Sequence, residues 1–234
     1  YDSEETAIEA LSLLDNMPVD SATTESRIGI YNQLGKIYRQ LLDYDKAISY
    51  YQRALDLDTV QFQQIKLKNN MGFALIKSGR WDQAFTEFES LKKALVNVRD
   101  YAEKARILHN YAMVKGKLRH PDAVSYFNQA RQIRQKLGKT YEVIGSYMDL
   151  SNYYMEIGDT SHAKQHARKA YHLAENTKNA TIISESMDLV IGLKTDPEVL
   201  FYKQIRDSIE RANLLTDGKY ASKKYDVFKQ EKIA

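Results

Sequence analysis

The sequence lacks cysteine entirely, which excludes disulfides, thiol nucleophiles and thiolate metal ligands from all 234 residues. It also has little proline and glycine, three and ten residues, and so few helix breakers favour helix almost throughout. No run approaches the ~18 consecutive apolar residues that a membrane-spanning helix requires. These absences favour a chain that is mainly helical and carries no membrane span of its own.

The sequence also lacks a marked excess of positive or negative residues. Lys and Arg total 34 against 31 Asp and Glu, and a formal net charge of +3 does not indicate the concentrated basic face of a nucleic-acid-binding protein. Hydrophobic residues make up 43% and charged residues 28%, which excludes a disordered tail. The chain starts at Tyr1 rather than Met, so we expect a trimmed or mature product, with any membrane segment outside it.

What the sequence does contain is an internal repeat. An alanine recurs at steps of 37, 39 and 40 residues, at Ala47, Ala84, Ala123 and Ala163. Twelve positions before each alanine stands a small or aromatic residue: Gly35, Gly72, Tyr111 and Ser151. Self-similarity at this period indicates stacked helical hairpins that bury their apolar faces against their neighbours.

The best-preserved repeat predicts how two helices approach. We expect Gly35 to lie against Ala47, with Tyr38 and Tyr51 filling the flanking space, because helices approach closely where side chains are small. Gly79 is placed to end a helix in the left-handed conformation. Each repeat is longer than a minimal helical hairpin, and the additional residues fall around 55–66, 92–104 and 131–143. These stretches are polar with helical apolar spacing, which predicts that the second helix of each hairpin, the one carrying the alanine, is lengthened.

The pattern resembles the tetratricopeptide repeat, a helix-turn-helix unit of ~34 residues with a signature of small and aromatic residues. The resemblance covers about 28–175 and implies an all-α fold, an α-α superhelix of four to five repeats within 1–213. The expected segments are a partial repeat at 4–20, repeats at 28–61, 65–98, 104–137 and 144–177, a degenerate pair at 180–213, and a charged helix or linker at 214–234.

Nothing in the sequence supports catalysis or a cofactor. His162 and His166 lie four residues apart on one predicted helix, a spacing that can clasp a metal, but no third ligand or HExxH pattern accompanies them. A solvated helix face accounts for the pair better than a metal site does. We therefore expect a protein that is not an enzyme, and a metal-dependent enzyme built on these histidines is the alternative from another class.

The resemblance implies a ligand-binding concave surface lined by the first helices. Its ligand-facing positions, with neighbouring lysines, correspond to Asn32, Lys36, Arg39, Lys66, Asn69, Phe73, Ile76, Lys77, Leu108, Lys115, Met148, Asn152 and Met155. The early part of this set is polar and basic and the later part is apolar, which suits a protein or peptide partner with an acidic or carboxylate end. A solvated groove without a dedicated ligand remains open.

The end of the chain resembles the segment that follows the repeats in bacterial membrane-bound sensors, proteins whose output is a histidine kinase or a helix-turn-helix regulator. The residues that carry this similarity are Asp207, Ser208, Lys219, Tyr220, Tyr225 and Lys232. The similarity implies a periplasmic signalling module whose tail leads towards the membrane. The alternative function is a cytoplasmic peptide receptor or assembly scaffold. For the tail itself, the alternative is a charged helix that caps the last repeat.

Overall fold

The computed structural model describes residues 2–58, 60–193 and 201–208, and all regular structure in these ranges is helical. The helices are α1 (Asp2–Asp15), α2 (Ser21–Gln40), α3 (Tyr44–Leu57), α4 (Gln61–Lys77), α5 (Trp81–Ala94), α6 (Tyr101–Lys117), α7 (Ala123–Lys136), α8 (Thr140–Glu156), α9 (Thr160–Glu175) and α10 (Ala180–Gly192), with a short 3-10 helix at Leu95–Asn97 and a helical segment at 201–208. The chain divides into two compact units: unit 1 ends at Tyr126 and unit 2 begins at Phe127.

Unit 1 is built from helical hairpins. Helices α2 and α3 form one hairpin and α4 and α5 the next, each joined by a three-residue turn that makes its two helices antiparallel. Helix α1 packs against α2, and α6 packs against both α4 and α5. The first hairpin and its neighbours enclose a core that includes Leu34, Tyr38, Ala47, Tyr51, Ala54, Leu67, Met71 and Ala74.

Two glycines allow the helices of each hairpin to meet, but they oppose a different residue from the one expected. A Cβ atom on Gly35 would lie 2.5 Å from Cε1 of Tyr51, and one on Gly72 would lie 2.8 Å from Cζ of Phe88. The nearest atoms to Gly35 therefore belong to an aromatic ring and not to Ala47. A ring this close to the helix backbone leaves no room for a Cβ atom, so glycine is required at both places.

The residues beyond a minimal repeat lengthen the first helices, so the prediction of longer second helices is wrong. Helix α2 has 20 residues and α4, α6 and α8 have 17, whereas α3, α5 and α7 have 14 and α9 has 16. The second helices end early for local reasons. Gly138 adopts a φ of +67° after α7, and Asp100 accepts hydrogen bonds from the backbone N–H groups of Ala102 and Glu103, which starts α6.

The turns inside the hairpins use the left-handed conformation. Gly79 and Gly158 have φ values of +76° and +83°, as the sequence predicts for Gly79. Leu42 occupies the same place in the first hairpin, seven residues after Gly35, with a φ of +63° and a side chain that is 70% exposed. A side chain with a Cβ atom is strained in this region, and an exposed leucine recovers little by burial.

Replacement of Leu42 by glycine is therefore expected to raise the free energy of unfolding by about 1 kcal/mol, because the strain is relieved and little apolar contact is lost. The matched control is Leu41→Gly. Leu41 has an ordinary φ of −76° and is also exposed, so glycine there should lower stability by about 0.5–1 kcal/mol. Urea unfolding followed by circular dichroism measures both, and equal effects of the two substitutions would contradict the prediction.

Unit 2 contains the hairpin of α8 and α9, against which α10 packs. Small residues again bring its helices together: Ser151 donates a hydrogen bond from Oγ to the backbone oxygen of Ala163 at 2.9 Å, and the alanines of α9 are fully buried. Ile205, from the helical segment at 201–208, is also fully buried, and Phe201 packs against the same core. Of the degenerate pair expected at 180–213, residues 194–200 and 209–213 lie outside the described residues, as does 214–234.

Candidate functional site

Most of the predicted ligand-facing residues lie in unit 1, on the first helices α2, α4 and α6. The side chains that reach across these helices form a polar ladder. Asn70 donates from Nδ2 to Oδ1 of Asn32 on α2 at 3.1 Å, and Arg106 on α6 donates from Nη2 to Oδ1 of Asn70 at 2.9 Å. Three successive first helices are thus linked side chain to side chain along one face.

A second set of polar contacts lies beneath this ladder and is buried. Asn69 is 0% exposed; it donates to Oε1 of Glu103 at 2.7 Å and accepts from Nδ2 of Asn110 at 2.9 Å. Glu103 is itself 4% exposed and pairs through Oε2 with Arg106 at 2.9 Å. Asn69, predicted from the sequence to face a ligand, therefore holds α4 to α6.

Near the C-terminal ends of α2 and α4, two cations share one aromatic ring. The guanidinium of Arg39 lies 5.2 Å from the centroid of the Phe73 ring, and Nζ of Lys77 lies 5.4 Å from it. Phe73 and Arg39 are half-buried and Lys77 is exposed. Neither cation forms an ion pair with a described residue, and the same holds for Lys36 nearby on α2. This part of unit 1 carries positive charge that its described neighbours do not neutralise.

Tyr51 adds a buried hydroxyl that sequence reasoning treated as core alone. Its side chain, on α3, is 0% exposed, and the hydroxyl proton has no hydrogen-bond acceptor among the described residues. Burial raises the pKa of Tyr51, and the side chain of Arg39, through a hydrogen bond and its positive charge, acts against that rise, as does the charge of Arg106. The sequence held one signal of this hydroxyl: Phe88 occupies the corresponding place in the next hairpin, so packing over the glycine requires a ring but no hydroxyl.

Three other predicted residues of unit 1 are buried instead of exposed on this face. Ile76 and Leu108 are 3% and 4% exposed and contribute to the core. Lys115 is also buried, and its Nζ donates to both carboxylate oxygens of Asp122 at 2.9 Å, which lowers the pKa of that carboxyl. The rings around this ammonium are Phe85, Tyr111 and Tyr126. A cation neutralised and enclosed in this way is not available to a ligand.

The remaining predicted residue of unit 1, Lys66, lines a small cleft between α2 and α4. The cleft has a volume of about 230 Å³. Its lining residues are Glu25, Ile28, Gly29, Asn32, Gln63, Lys66 and Leu67. Asn32 thus belongs both to this cleft and to the polar ladder.

In unit 2, the predicted residues lie on α8 and are not alike in burial. Met148 is half-buried and packs against the core, whereas Asn152 and Met155 are exposed. A cleft of about 210 Å³ lies elsewhere in this unit, and Tyr147, Val143 and Leu173 are among its lining residues. None of the three predicted residues lines it.

The two histidines of α9 stack on tyrosines of α8. His162 and His166 lie 4.9 and 5.4 Å, centroid to centroid, from the Tyr154 ring, and His166 also stacks on Tyr147 at 5.8 Å. His162 is exposed as expected, but His166 is half-buried, which a solvated helix face did not predict. Within the described ranges, no group of three or more His, Asp or Glu side chains is placed to hold a metal ion.

Burial lowers the pKa of His166 to about 4, with the nearby charges of Lys169, Arg131 and His162 acting in the same direction. The unfolded state therefore takes up the proton first, so the stability contributed by neutral His166 is complete above about pH 6.5 and is lost as pH falls towards 4. We expect a loss of about 1–2 kcal/mol over this range, since solvent screens a half-buried ring. Urea unfolding at several pH values should show a shallower dependence for His166→Gln, and parallel profiles would contradict the prediction.

No helix among the described residues combines the length and apolar character needed to cross a membrane. No curated protein matches the sequence significantly. Solved structures do match, with 44 chains similar in fold. BtubC (BKLC) from P. vanneervenii has 18% identity and a TM-score of 0.68, covering 91% of this chain and 87% of that chain. The apo form of RapI has 14% identity and a TM-score of 0.71, and the match covers 94% of this chain and 86% of RapI.

A third similar structure is the Rap conjugation gene regulator in complex with a Phr peptide, with 15% identity, a TM-score of 0.64, and coverage of 91% of this chain and 60% of that chain. The fold class is all-α, of the α-α superhelix type. Sequence models of the tetratricopeptide repeat match residues 29–58, 63–136 and 144–177, which together exceed half of the chain. The chain belongs to the tetratricopeptide repeat family.

Proposed function

We propose that this chain is a non-enzymatic module that binds a protein or peptide on the first-helix face of unit 1. The observation that carries the proposal is the combination on that face of a polar ladder and a cluster of cations without acidic partners. The ladder crosses three helices through Asn32, Asn70 and Arg106, and its amides can hydrogen-bond an extended backbone. Arg39 and Lys77 lie on the ring of Phe73 and supply charge and apolar surface.

The solved structures support this proposal through their fold. The Rap conjugation gene regulator, which matches 91% of this chain over 60% of its own length, is in complex with a peptide. At 15% identity the likeness extends to the fold alone, so the residues that would hold a ligand here must be argued from this chain. Those residues lie on the first helices, on elements that a repeat scaffold holds rigidly in place.

Within this function, we propose that the chain is the sensor region of a bacterial signal-transduction protein, located in the periplasm. The support is the resemblance of the segment from Asp207 onwards to the region that follows the repeats in such sensors. A cytoplasmic peptide receptor or scaffold is the alternative, and the Rap conjugation gene regulator in complex with a peptide supports the peptide-receptor part of it. In the complete gene, a signal peptide with a downstream hydrophobic span supports the sensor, whereas an upstream DNA-binding domain supports the receptor.

A deletion of residues 214–234 separates two roles of the tail. If the tail transmits a signal, the repeats should unfold at an unchanged urea concentration without it, while the output of the complete protein is lost. If the tail is a cap, the deletion should lower the urea midpoint, and the transmitting role is then excluded.

Peptide binding itself is tested with a library of random octapeptides selected on the immobilised chain. We expect enriched peptides to bind with micromolar dissociation constants and to lose about tenfold or more in affinity when Phe73 is replaced by alanine. The matched control is Lys93→Ala on α5, an exposed residue on a second helix, which should bind as the parent does. Failure to enrich any peptide would count against the proposed function.

A further inference from the structure

We propose that this chain associates with itself head to tail: helix α1 of one copy docks on a basic cleft in unit 2 of a second copy. The receiving site is the cleft of about 210 Å³ that α7, α8 and α9 line, together with the cations around it. The inference goes beyond the proposed function and does not depend on it, because it uses neither the polar ladder nor the ring of Phe73.

The cleft has an apolar wall. Val143 is 7% exposed, and Tyr147 and Leu173 are half-buried, so their side chains form a surface that water covers only in part. Leu137 and Tyr141, each next in the chain to a lining residue, are 41% and 52% exposed. An aliphatic side chain that enters the cleft leaves water together with part of this wall, which favours docking.

Three cations accompany the apolar wall. The guanidinium of Arg131 lies 5.0 Å from the centroid of the Tyr147 ring, and Nζ of Lys169 lies 5.9 Å from it, so α7 and α9 each place a cation on one side chain of the cleft. Lys139 lines the cleft itself. None of the three forms an ion pair with a described residue. We call the cleft and these three cations the basic patch.

The sequence around the basic patch carries one sign of charge. Residues 123–141 contain four Lys or Arg and no Asp or Glu. Glu142 is the first acidic residue after them, exposed on the first turn of α8. A partner segment is therefore attracted here if it is acidic, with a single carboxylate of the chain opposing it.

A segment of matching chemistry is present in the chain itself. Residues 1–26 contain seven Asp or Glu and no Lys or Arg. On α1, Glu5 and Glu9 are exposed, lie about one helical turn apart, and form no ion pair with a described residue. Ile8 and Leu13, on the same side of the helix, are 47% and 69% exposed. We call these four residues the acidic ridge, because they offer the carboxylates and the aliphatic side chains that the basic patch can accept.

Helix α1 joins unit 1 through its opposite side, so docking requires no rearrangement of the helix. Ala7 is buried there and Leu11 packs against the core of the first hairpin. The hydroxyl of Tyr38 on α2 donates a hydrogen bond to Glu4. The acidic ridge is thus presented on a helix that is already formed and fixed, which lowers the entropic cost of association.

Each copy carries one acidic ridge and one basic patch, so the contact is heterologous. Contacts of this kind close into a ring where the rotation between copies permits it and otherwise extend into a chain of copies. The ion pairs lie at the surface and few aliphatic side chains are buried, which gives a dissociation constant of about 10–100 μM. Added salt weakens the association because it screens exposed charges.

Sedimentation velocity of the intact chain tests the self-association. We expect the average mass to rise with protein concentration from about 5 to 500 μM in about 50 mM salt, and to return to that of the monomer in about 0.5 M salt. Lys92→Glu combined with Lys93→Glu, two exposed residues of α5, is the matched control for a charge reversal outside the patch and should associate as the parent does. A parent chain that stays monomeric over this range overturns the inference.

A charge swap tests the contact itself. Glu5→Lys with Glu9→Lys makes the ridge basic, and Lys139→Glu with Lys169→Glu makes the patch acidic. Each double variant alone should self-associate at least about tenfold more weakly, because like charges then face each other. An equimolar mixture of the two should associate again, since each ridge meets a patch of opposite charge. Undiminished association of either variant alone, or no association in the mixture, overturns the inference.

A neutral pair of substitutions guards against a loss of helix, because lysines near the N-terminus of α1 oppose its dipole. Glu5→Gln with Glu9→Gln avoids the added positive charge and should still weaken self-association about threefold, with the urea midpoint unchanged. Association as strong as that of the parent would show that the two carboxylates do not take part in the contact.

Discussion

Replacement of Gly35 by alanine is expected to lower the free energy of unfolding by about 1–3 kcal/mol, although alanine is the better helix former. The added methyl group would lie 2.5 Å from Cε1 of Tyr51, so the ring or the helix must move. Tyr51 is fully buried and packed on all sides, which leaves it no free direction. Urea unfolding of the variant and the parent measures the loss.

Gly29 provides the matched control because it lies on the same helix, α2, and a Cβ there would meet nothing within 4 Å. Gly29→Ala should raise the free energy of unfolding by about 0.5–1 kcal/mol through helix propensity alone. Gly72→Ala should behave like Gly35→Ala, since its Cβ would lie 2.8 Å from Phe88. The same sign of effect at Gly29 and Gly35 would show that the close approach of ring and helix is not a constraint.

Replacement of Glu103 by alanine is expected to have the largest effect, a loss of about 2–4 kcal/mol. Glu103 accepts from the buried Nδ2 of Asn69 at 2.7 Å and pairs with Arg106 at 2.9 Å. Its removal leaves a buried amide donor without an acceptor, and no water has ready access to Asn69, which is 0% exposed. Denaturant unfolding measures the loss, with the exposed Glu9→Ala on α1 as the control expected within about 0.5 kcal/mol.

A double-mutant cycle tests whether Asn69 and Glu103 act together. Asn69→Ala alone, Glu103→Ala alone and the double variant should give a coupling free energy of at least about 1 kcal/mol, because the second substitution removes a group that the first has already left unpaired. Glu103→Gln should cost less than Glu103→Ala, since the amide oxygen still accepts from Asn69. Additive effects of the two alanine substitutions would mean that the buried contact contributes nothing to stability.

The hairpins could be predicted from the sequence because their signals are local. A small residue, a left-handed turn and an alanine recur in order, and Gly79 adopts the conformation predicted for it. The division of each repeat into helices was predicted wrongly, since polar residues with helical spacing are compatible with the end of one helix or the start of the next. Only the caps and breaks, such as Asp100 and Gly138, decide between the two.

The candidate site was predicted only in part. The repeat frame assigned Arg39, Lys77 and Phe73 to the ligand-facing set without predicting that both cations lie on one ring, and Lys115 of the same set is enclosed by rings and paired with Asp122. Nothing in the spacing of charged residues distinguishes these lysines. The polar role of Tyr51 was missed because an aromatic residue on the repeat frame indicates packing. Its hydroxyl interacts with Arg39, a residue of another helix, and the sequence does not show that contact.

The amino-acid sequence alone determined the helical class, the repeat period and the turn positions, because these follow from interactions within about one helical turn. The tertiary structure decided which charges are neutralised and which polar groups are left without a partner. Asn69 and Asn110 are 41 residues apart in the chain, yet Nδ2 of Asn110 lies 2.9 Å from Oδ1 of Asn69. Contacts of this kind depend on how far each helix is rotated against its neighbour, and no local pattern of residues specifies that rotation.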